Sequence, residues 1–544
     1  MKFFIPLTTA CHTLKTGGIS IELKDKGLNE EVPEFMELVK RPIRSYRTID
    51  IAEPEEMFEH SIIVPDVKPD IRSILLADAE CFVTGIEKTG RMIEVSGEIQ
   101  YKILYIADTP EQKVESITAK YPWSFSLQKP KADGEIGAFA RCRCQHTDVN
   151  IVNGRKLVCR TVIALVCRFY EIRSSEIGRE ILGENVFLKT SPVNVMILRD
   201  NGNTSVKVSD ILALPPGSPP IKEILFSRVN LGSAEISYRD DEPVLEARGN
   251  LFLLYRSDSL DESIESVVME FPVKTSVGIQ VSEYATVFAT NILKNWEIRL
   301  AEDADGLFTR LSVNLDIDID AQSMVSEEQL VIEDAYSCDC NLELNMVTVK
   351  LVTDEREFCE DHLVTQRISL ETPDDPLDEV LMVCPNERNI ASMISDSLNV
   401  QGNIGLNILF LTRGKQYQGR TLDIPFNHSI NLPEKGNWQL IQSQFSIEDI
   451  QFDIAGSDSI DLSVKIRIKV RACRIGEVVC PDSLKAVREE CANRAPLTIY
   501  FCQPGDSIWN IAKNYRIPVS KLCADNGICE DEKLEAGRRM FIMS

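Results

Sequence analysis

One spacing recurs three times along the 544 residues, and a chain that repeats its spacing must repeat its architecture. Gly97, Gly249 and Gly402 each open an apolar, strand-like segment: Gly-Glu-Ile-Gln-Tyr-Lys-Ile-Leu-Tyr, Gly-Asn-Leu-Phe-Leu-Leu-Tyr and Gly-Asn-Ile-Gly-Leu-Asn-Ile-Leu-Phe. A proline behind an apolar residue follows after 25, 23 and 23 residues, at Pro122, Pro272 and Pro425. In every copy an apolar residue opens the closing strand 35 residues later, at Leu157, Leu307 and Ile460. A chain this long cannot form one core, so three copies of one domain are the economical solution.

The alternation within each copy is that of β-structure. Leu462 to Val470 reads Leu-Ser-Val-Lys-Ile-Arg-Ile-Lys-Val, with every second side chain apolar. Ahead of each glycine, however, Ile71/Ile74/Leu75, Ile221/Ile224/Leu225 and Leu377/Val380/Leu381 fall at i, i+3 and i+4 behind Pro69, Pro219 and Pro376. That pattern predicts a short helix in each copy, opened by proline. Glu184-Asn-Val-Phe187 and Glu333-Asp-Ala-Tyr336 echo each other 149 residues apart and predict an added hairpin between copies.

The last fifty residues differ from the rest. Leu497, Ile499 and Phe501 alternate with Thr498, Tyr500 and Cys502 until Pro504-Gly505 breaks the strand. Asp506 or Ser507 is placed to cap a helix carrying Ile508, Ile511, Ala512 and Tyr515 on one face. A second helix with Val519, Leu522 and Cys523 stops at Asn526-Gly527, and Arg539 to Met543 closes a β-α-α-β unit.

Composition narrows the function. The net charge is −25, from 59 basic against 84 acidic side chains, and residues 497 to 544 carry six of each sign. The acidic surface of the body repels nucleic acid and anionic membrane. No apolar run of membrane-spanning length occurs. The start, Met1 to Cys11, only faintly resembles a lipoprotein signal, because its apolar run is short and broken by Pro6. Sixteen scattered cysteines read as buried thiols of a reducing compartment. Five histidines, at 12, 60, 146, 362 and 428, sit in no catalytic pattern, and no phosphate loop or nucleophile elbow is present. Cys142, Cys144 and His146 are three potential zinc ligands on one strand, but the aligned positions hold Ile292, Lys294 and Trp296, then Phe445, Ile447 and Asp449. A ligand set that two copies out of three discard is not the purpose of the repeat. No enzyme, cofactor or metal is expected.

Strand, Pro504-Gly-Asp-Ser-Ile-Trp509, helix, Asn526-Gly527 and Leu534-Glu-Ala-Gly537 together resemble the LysM domain. The resemblance implies a shallow groove between two loops, formed by Gly505, Asp506, Ser507 and Ile508 on one side and Asn526, Gly527 and Ile528 on the other. The triplicated body resembles the SPOCS domain of endospore formers. Three such domains followed by LysM resemble the layout of the SipL-like family of spore-coat morphogenetic proteins.

The fold class that follows is mainly β: three antiparallel β-sandwich-like domains, each with a short helix, followed by a small LysM domain. The expected divisions are an N-terminal segment 1–62, repeats at 63–171, 214–322 and 367–474, connecting hairpins at 172–213 and 323–366, a linker at 475–495 holding the end away from the body, and LysM at 496–544. The resemblance implies a non-enzymatic protein of the mother-cell cytoplasm, placed at the forespore surface and spore coat. Its implied partners are a SpoIVA-type coat ATPase, docked through LysM, and other coat proteins. Binding of peptidoglycan or another N-acetylglucosamine polymer is the alternative, and oligomeric state stays open.

Overall fold

The computed structural model describes residues 36–240, 242–371, 375–386, 391–394, 398–431, 438–487 and 495–543. The start with Cys11 and His12, and residues 488–494 of the expected linker, lie outside these. Each copy is two antiparallel sheets packed face to face. One sheet pairs a bulged strand (Ile71–Thr89, Ile221–Leu231, Leu377–Pro385) and a third strand with the same central strand. The central strands are Met92–Ala107, Glu242–Ser257 and Leu398–Thr412. The other sheet is built on a long return strand (Lys156–Leu182, Arg310–Ser337, Ser459–Val487). The apolar faces of the two sheets close three separate cores.

The repeated glycines are explained by what lies opposite them. Gly97 pairs with Trp123, Gly249 with Phe271 and Gly402 with Phe426. A Cβ on Gly97 or Gly249 would come within 2.0 or 2.3 Å of the facing ring. The ring therefore lies across the glycine, and a side chain there would evict it. The leading prolines also have a partner: the hydroxyls of Tyr105 and Tyr255 donate to the carbonyls of Pro69 and Pro219, at 3.0 and 3.1 Å.

The short helices expected behind those prolines are not formed, and the segments are the starts of the bulged strands. Their register slips twice, between Ile71/Ser73 and Ile74/Leu76, and again between Leu377/Glu379 and Val380/Met382. The second copy shows the same two slips, as Ile221, Glu223, Ile224 and Phe226 meet successive partner residues. Two β-bulges add one residue each, so a period of two reads as the three-and-four spacing of a helix. The bulges also turn the strand. Ile71, Ile221 and Leu377 stay in their own cores, whereas Leu76, Phe226 and Met382 point into a cluster shared by all three copies.

The segments expected as an N-terminal region and as connecting hairpins are the lead strands of the repeats. Glu37–Ala52 and Glu55–Ile63 pair with the first return strand, Val186–Ala213 with the second, and Asn341–Ser369 with the third. The chain turns at 183–185 and 338–340, but the strands flanking each turn belong to different sheets. The missed signal is length. Each lead strand continues past its sandwich into a two-stranded ribbon, and so does the return strand, which carries 475–487 of the expected linker as far as Val487.

Three ribbons, one per copy, pack into a common stalk. Its layers each draw on all three: Tyr46, Met324 and Cys473 at the base; Ile43, Val195 and Val478 in the middle; Ile181, Ile332 and Ala486 at the tip. Buried polar groups lie where the copies meet. Arg228 is 2.6 Å from Asp78, Asn407 donates to the same carboxylate at 2.9 Å, and Lys102 pairs with Glu80 while donating to the Ser227 carbonyl at 2.8 Å. A second buried set joins Arg168 to Asp320 at 2.8 Å and to Gln442 at 2.7 Å, and Arg471 to Glu355 and Gln322. Each set contains partners from all three copies, so the polar groups fix the copies in one relative arrangement.

Candidate functional site

The terminal unit is the expected β-α-α-β: strand Leu497–Phe501, helix α1 (Ile508–Tyr515), helix α2 (Val519–Asn526) and strand Arg539–Met543. Ser507 caps α1, its hydroxyl accepting from the Asn510 amide at 3.1 Å. Gly527 ends α2 at φ +62°, and Gly505 turns the chain at φ +92°, so both need glycine.

The seven groove residues divide by task. Ile508 and Ile528 meet in the same small core. Asp506 staples its own loop, accepting from the Tyr500 hydroxyl and the Gln503 amide, both at 2.7 Å. That bond to a carboxylate pushes the Tyr500 phenol up to about 12. Asn526 staples the other loop: its amide donates to Phe541 at 2.7 Å and accepts from it at 2.6 Å. Gly505, Ser507 and Gly527 are exposed. The two loops are thus rigidly built and open to solvent, and Ser507 is the one exposed side chain of the seven with a hydrogen-bonding group.

The domain is not held away from the body. It sits on the stalk tip, where Tyr336 enters its core, stacks on Phe187 at 5.2 Å and meets the Trp509 ring edge-on at 5.0 Å. The Tyr336 hydroxyl donates to the Ile517 carbonyl at 2.8 Å. Asp334 accepts from the Trp509 indole at 2.8 Å and from Lys513 at 2.5 Å. Partial burial pushes the Asp334 carboxyl up, but the bonds from Lys513 and Trp509 outweigh it and hold it below its ordinary value.

A depressed carboxyl contributes docking stability that is whole above the ordinary value of 3.8 and is lost as pH falls through the lowered one. The protection of the amides of 510–517, taken relative to their intrinsic exchange at each pH, should therefore fall between pH 5 and pH 3 more in the native protein than in Asp334→Asn. An equal fall in both would show that Asp334 does not clamp the domain.

The residues that alternate along the first terminal strand face outward. Leu497, Ile499 and Phe501, with Phe541 and Met543 from the partner strand, form an apolar patch with each side chain 39 to 53 % exposed. The inner face is made instead by Cys502, Met540 and Ile542. Periodicity of two identifies two faces without saying which is inside, so the patch was invisible in the pattern. Isolated exposed apolar residues are ordinary, whereas here five share one face of a small sheet.

The Cys142, Cys144 and His146 triad does not converge. The strand slips between Cys144 and His146, leaving Cys144 in the core and His146 in solvent. Burial also pushes the thiols of Cys159, Cys167 and Cys473 up to about 12, which keeps them protonated and poor as ligands or nucleophiles. No described helix is long and apolar enough to cross a membrane.

Comparison with known families finds two matches: the SipL, SPOCS domain over residues 70–152 and the LysM domain over residues 503–542. No curated protein and no solved structure is similar enough to count as a match. Both matched domains are binding rather than catalytic domains, and together they fit a sporulation-related protein with a peptidoglycan-binding type of module. In domain content the chain matches a SipL-like protein, with a SPOCS domain in its first repeat and a LysM domain at its C-terminal end.

Proposed function

We propose that the protein is a non-enzymatic scaffold for spore-coat assembly, which docks on a SpoIVA-type coat ATPase through its LysM domain and helps encase the forespore. It works in the mother-cell cytoplasm, at the forespore surface and in the coat, with other coat proteins as further partners. The observation that carries this reading is how the LysM domain is presented. Its α1 flank is clamped on the stalk tip by Tyr336 and Asp334, while the apolar patch of Leu497, Ile499, Phe501, Phe541 and Met543 is left outward. A polymer of hydrophilic sugars does not need five exposed aliphatic and aromatic side chains on one sheet, whereas a protein interface does.

Deleting 496–544 should abolish co-purification with the ATPase, and Phe501→Asp should reduce it while leaving circular dichroism and melting temperature unchanged. Retained co-purification of the deletion would remove the docking role.

The alternative is binding of peptidoglycan or another N-acetylglucosamine polymer. It draws support from the open loops at Gly505–Ile508 and Asn526–Ile528 and from the LysM match itself. The full chain should fail to sediment with purified peptidoglycan. Sedimentation that Ser507→Trp abolishes would favour this alternative.

A further inference from the structure

Where the three copies meet, the corresponding strands of each contribute Arg141, Asn291 and Gln444, the residues preceding the aligned Cys142, Ile292 and Phe445. With Arg143, Arg228 and Asn230 they line a cleft of about 290 Å³. The described lining contains three arginines and no carboxylate, in a chain whose net charge is −25. Arg228 is balanced by Asp78 at 2.6 Å, outside the lining. Arg141 donates to a neutral acceptor, the Ser443 carbonyl, at 2.7 Å. Burial, followed by the like charges of Arg168 and Arg143, lowers the Arg141 guanidinium to about 10, against the weaker opposing pull of the Glu53 carboxylate outside the lining. Gln444 bridges to Asn291 at 3.2 Å, so the polar rim is contributed by all three copies.

Guanidinium groups set into such a cleft favour an ionised, multidentate acceptor, and the planar fork of arginine suits an oxyanion. The volume admits a small anion and excludes a folded partner or a polymer. We propose that this junction cleft is a binding site for a small multivalent oxyanion, held by Arg141 and Arg143. The occupant ties the three copies together, because its walls belong to all of them.

The test uses the full chain, titrated with inorganic phosphate, sulfate and citrate against chloride at constant ionic strength, by calorimetry and melting temperature. At least one of the three should bind saturably and raise the melting temperature. Arg141→Gln should weaken that binding roughly tenfold or more, the loss expected of one charge-assisted contact. Arg160→Gln, which alters an exposed pair with Glu59 at 2.7 Å, should leave it unchanged. Gln444→Glu gives the cleft a carboxylate of its own, and should abolish the anion response while raising the melting temperature in chloride. Absence of saturable binding by all three anions, undiminished binding in Arg141→Gln, or a persisting response in Gln444→Glu would each overturn the proposal.

Discussion

Tyr336→Ala releases the LysM domain from the stalk without unfolding either part. Tyr336 is 3 % exposed and is, among the described residues, the body's one buried contribution to a core otherwise made by the terminal domain. Truncating a buried aromatic costs about 3–5 kcal/mol, and here the loss falls on docking rather than on either fold. Small-angle scattering should show a larger radius of gyration with unchanged secondary structure. Tyr336→Phe keeps the ring between Phe187 and Trp509 and loses only the bond to Ile517, worth about 1 kcal/mol, so it should remain docked. An unchanged radius in the alanine variant would mean that Asp334 alone suffices. The experiment also bears on function: if the coat ATPase needs the domain held in place, binding should weaken in the alanine variant although the patch is intact.

The second large effect lies between the copies. Arg471 pairs with Glu355, whose side chain is fully buried, and its guanidinium also lies 4.0 Å from the centre of the Phe288 ring. Arg471→Ala leaves that carboxylate without a counter-ion and costs about 3–5 kcal/mol, most of it the penalty of the orphaned charge. A combined Arg471→Met and Glu355→Leu variant removes both charges and should recover much of the melting temperature. If the double variant melts as low as the single one, packing against Phe288 rather than charge burial holds the junction. The same comparison probes specificity, because Arg471 also reaches Gln322 of the second copy. A variant that regains stability while its repeats associate loosely would show that the ionic set selects the arrangement more than it strengthens it.

The triplication was legible because the repeated glycine is tied to one contact that every copy makes, Gly97 with Trp123, Gly249 with Phe271 and Gly402 with Phe426, whereas the closing-strand landmark holds at Leu157 and Ile460 but not at Leu307, which lies exposed ahead of the strand that begins at Arg310. The terminal unit was legible for a related reason, since turn glycines and caps act locally and leave a local trace. What escaped was everything set by tertiary packing. Two bulges made Ile71, Ile74 and Leu75 look helical, although their partners lie on a strand beginning more than a turn's length away at Met92. The outer part of Glu37–Ala52 looked featureless because a ribbon packed among two others needs no sharp alternation. The clamp at Tyr336 and Asp334 joins residues 181 and 175 positions apart to Ile517 and Trp509, and no local pattern encodes such a pair.

The lead strands have a kinetic consequence. Glu37 pairs with Leu182, Val186 with Ser337 and Asn341 with Val487, so the outermost rungs of each ribbon join the two ends of one copy. Contacts of such high sequence separation close slowly, and until they close each lead strand presents an unpaired edge. Yet among the described residues no ladder needs a residue from a later copy. As the chain emerges from the ribosome, each repeat can seal its own exposed edge before the next is made, and the repeat is thereby a unit of synthesis as well as of structure.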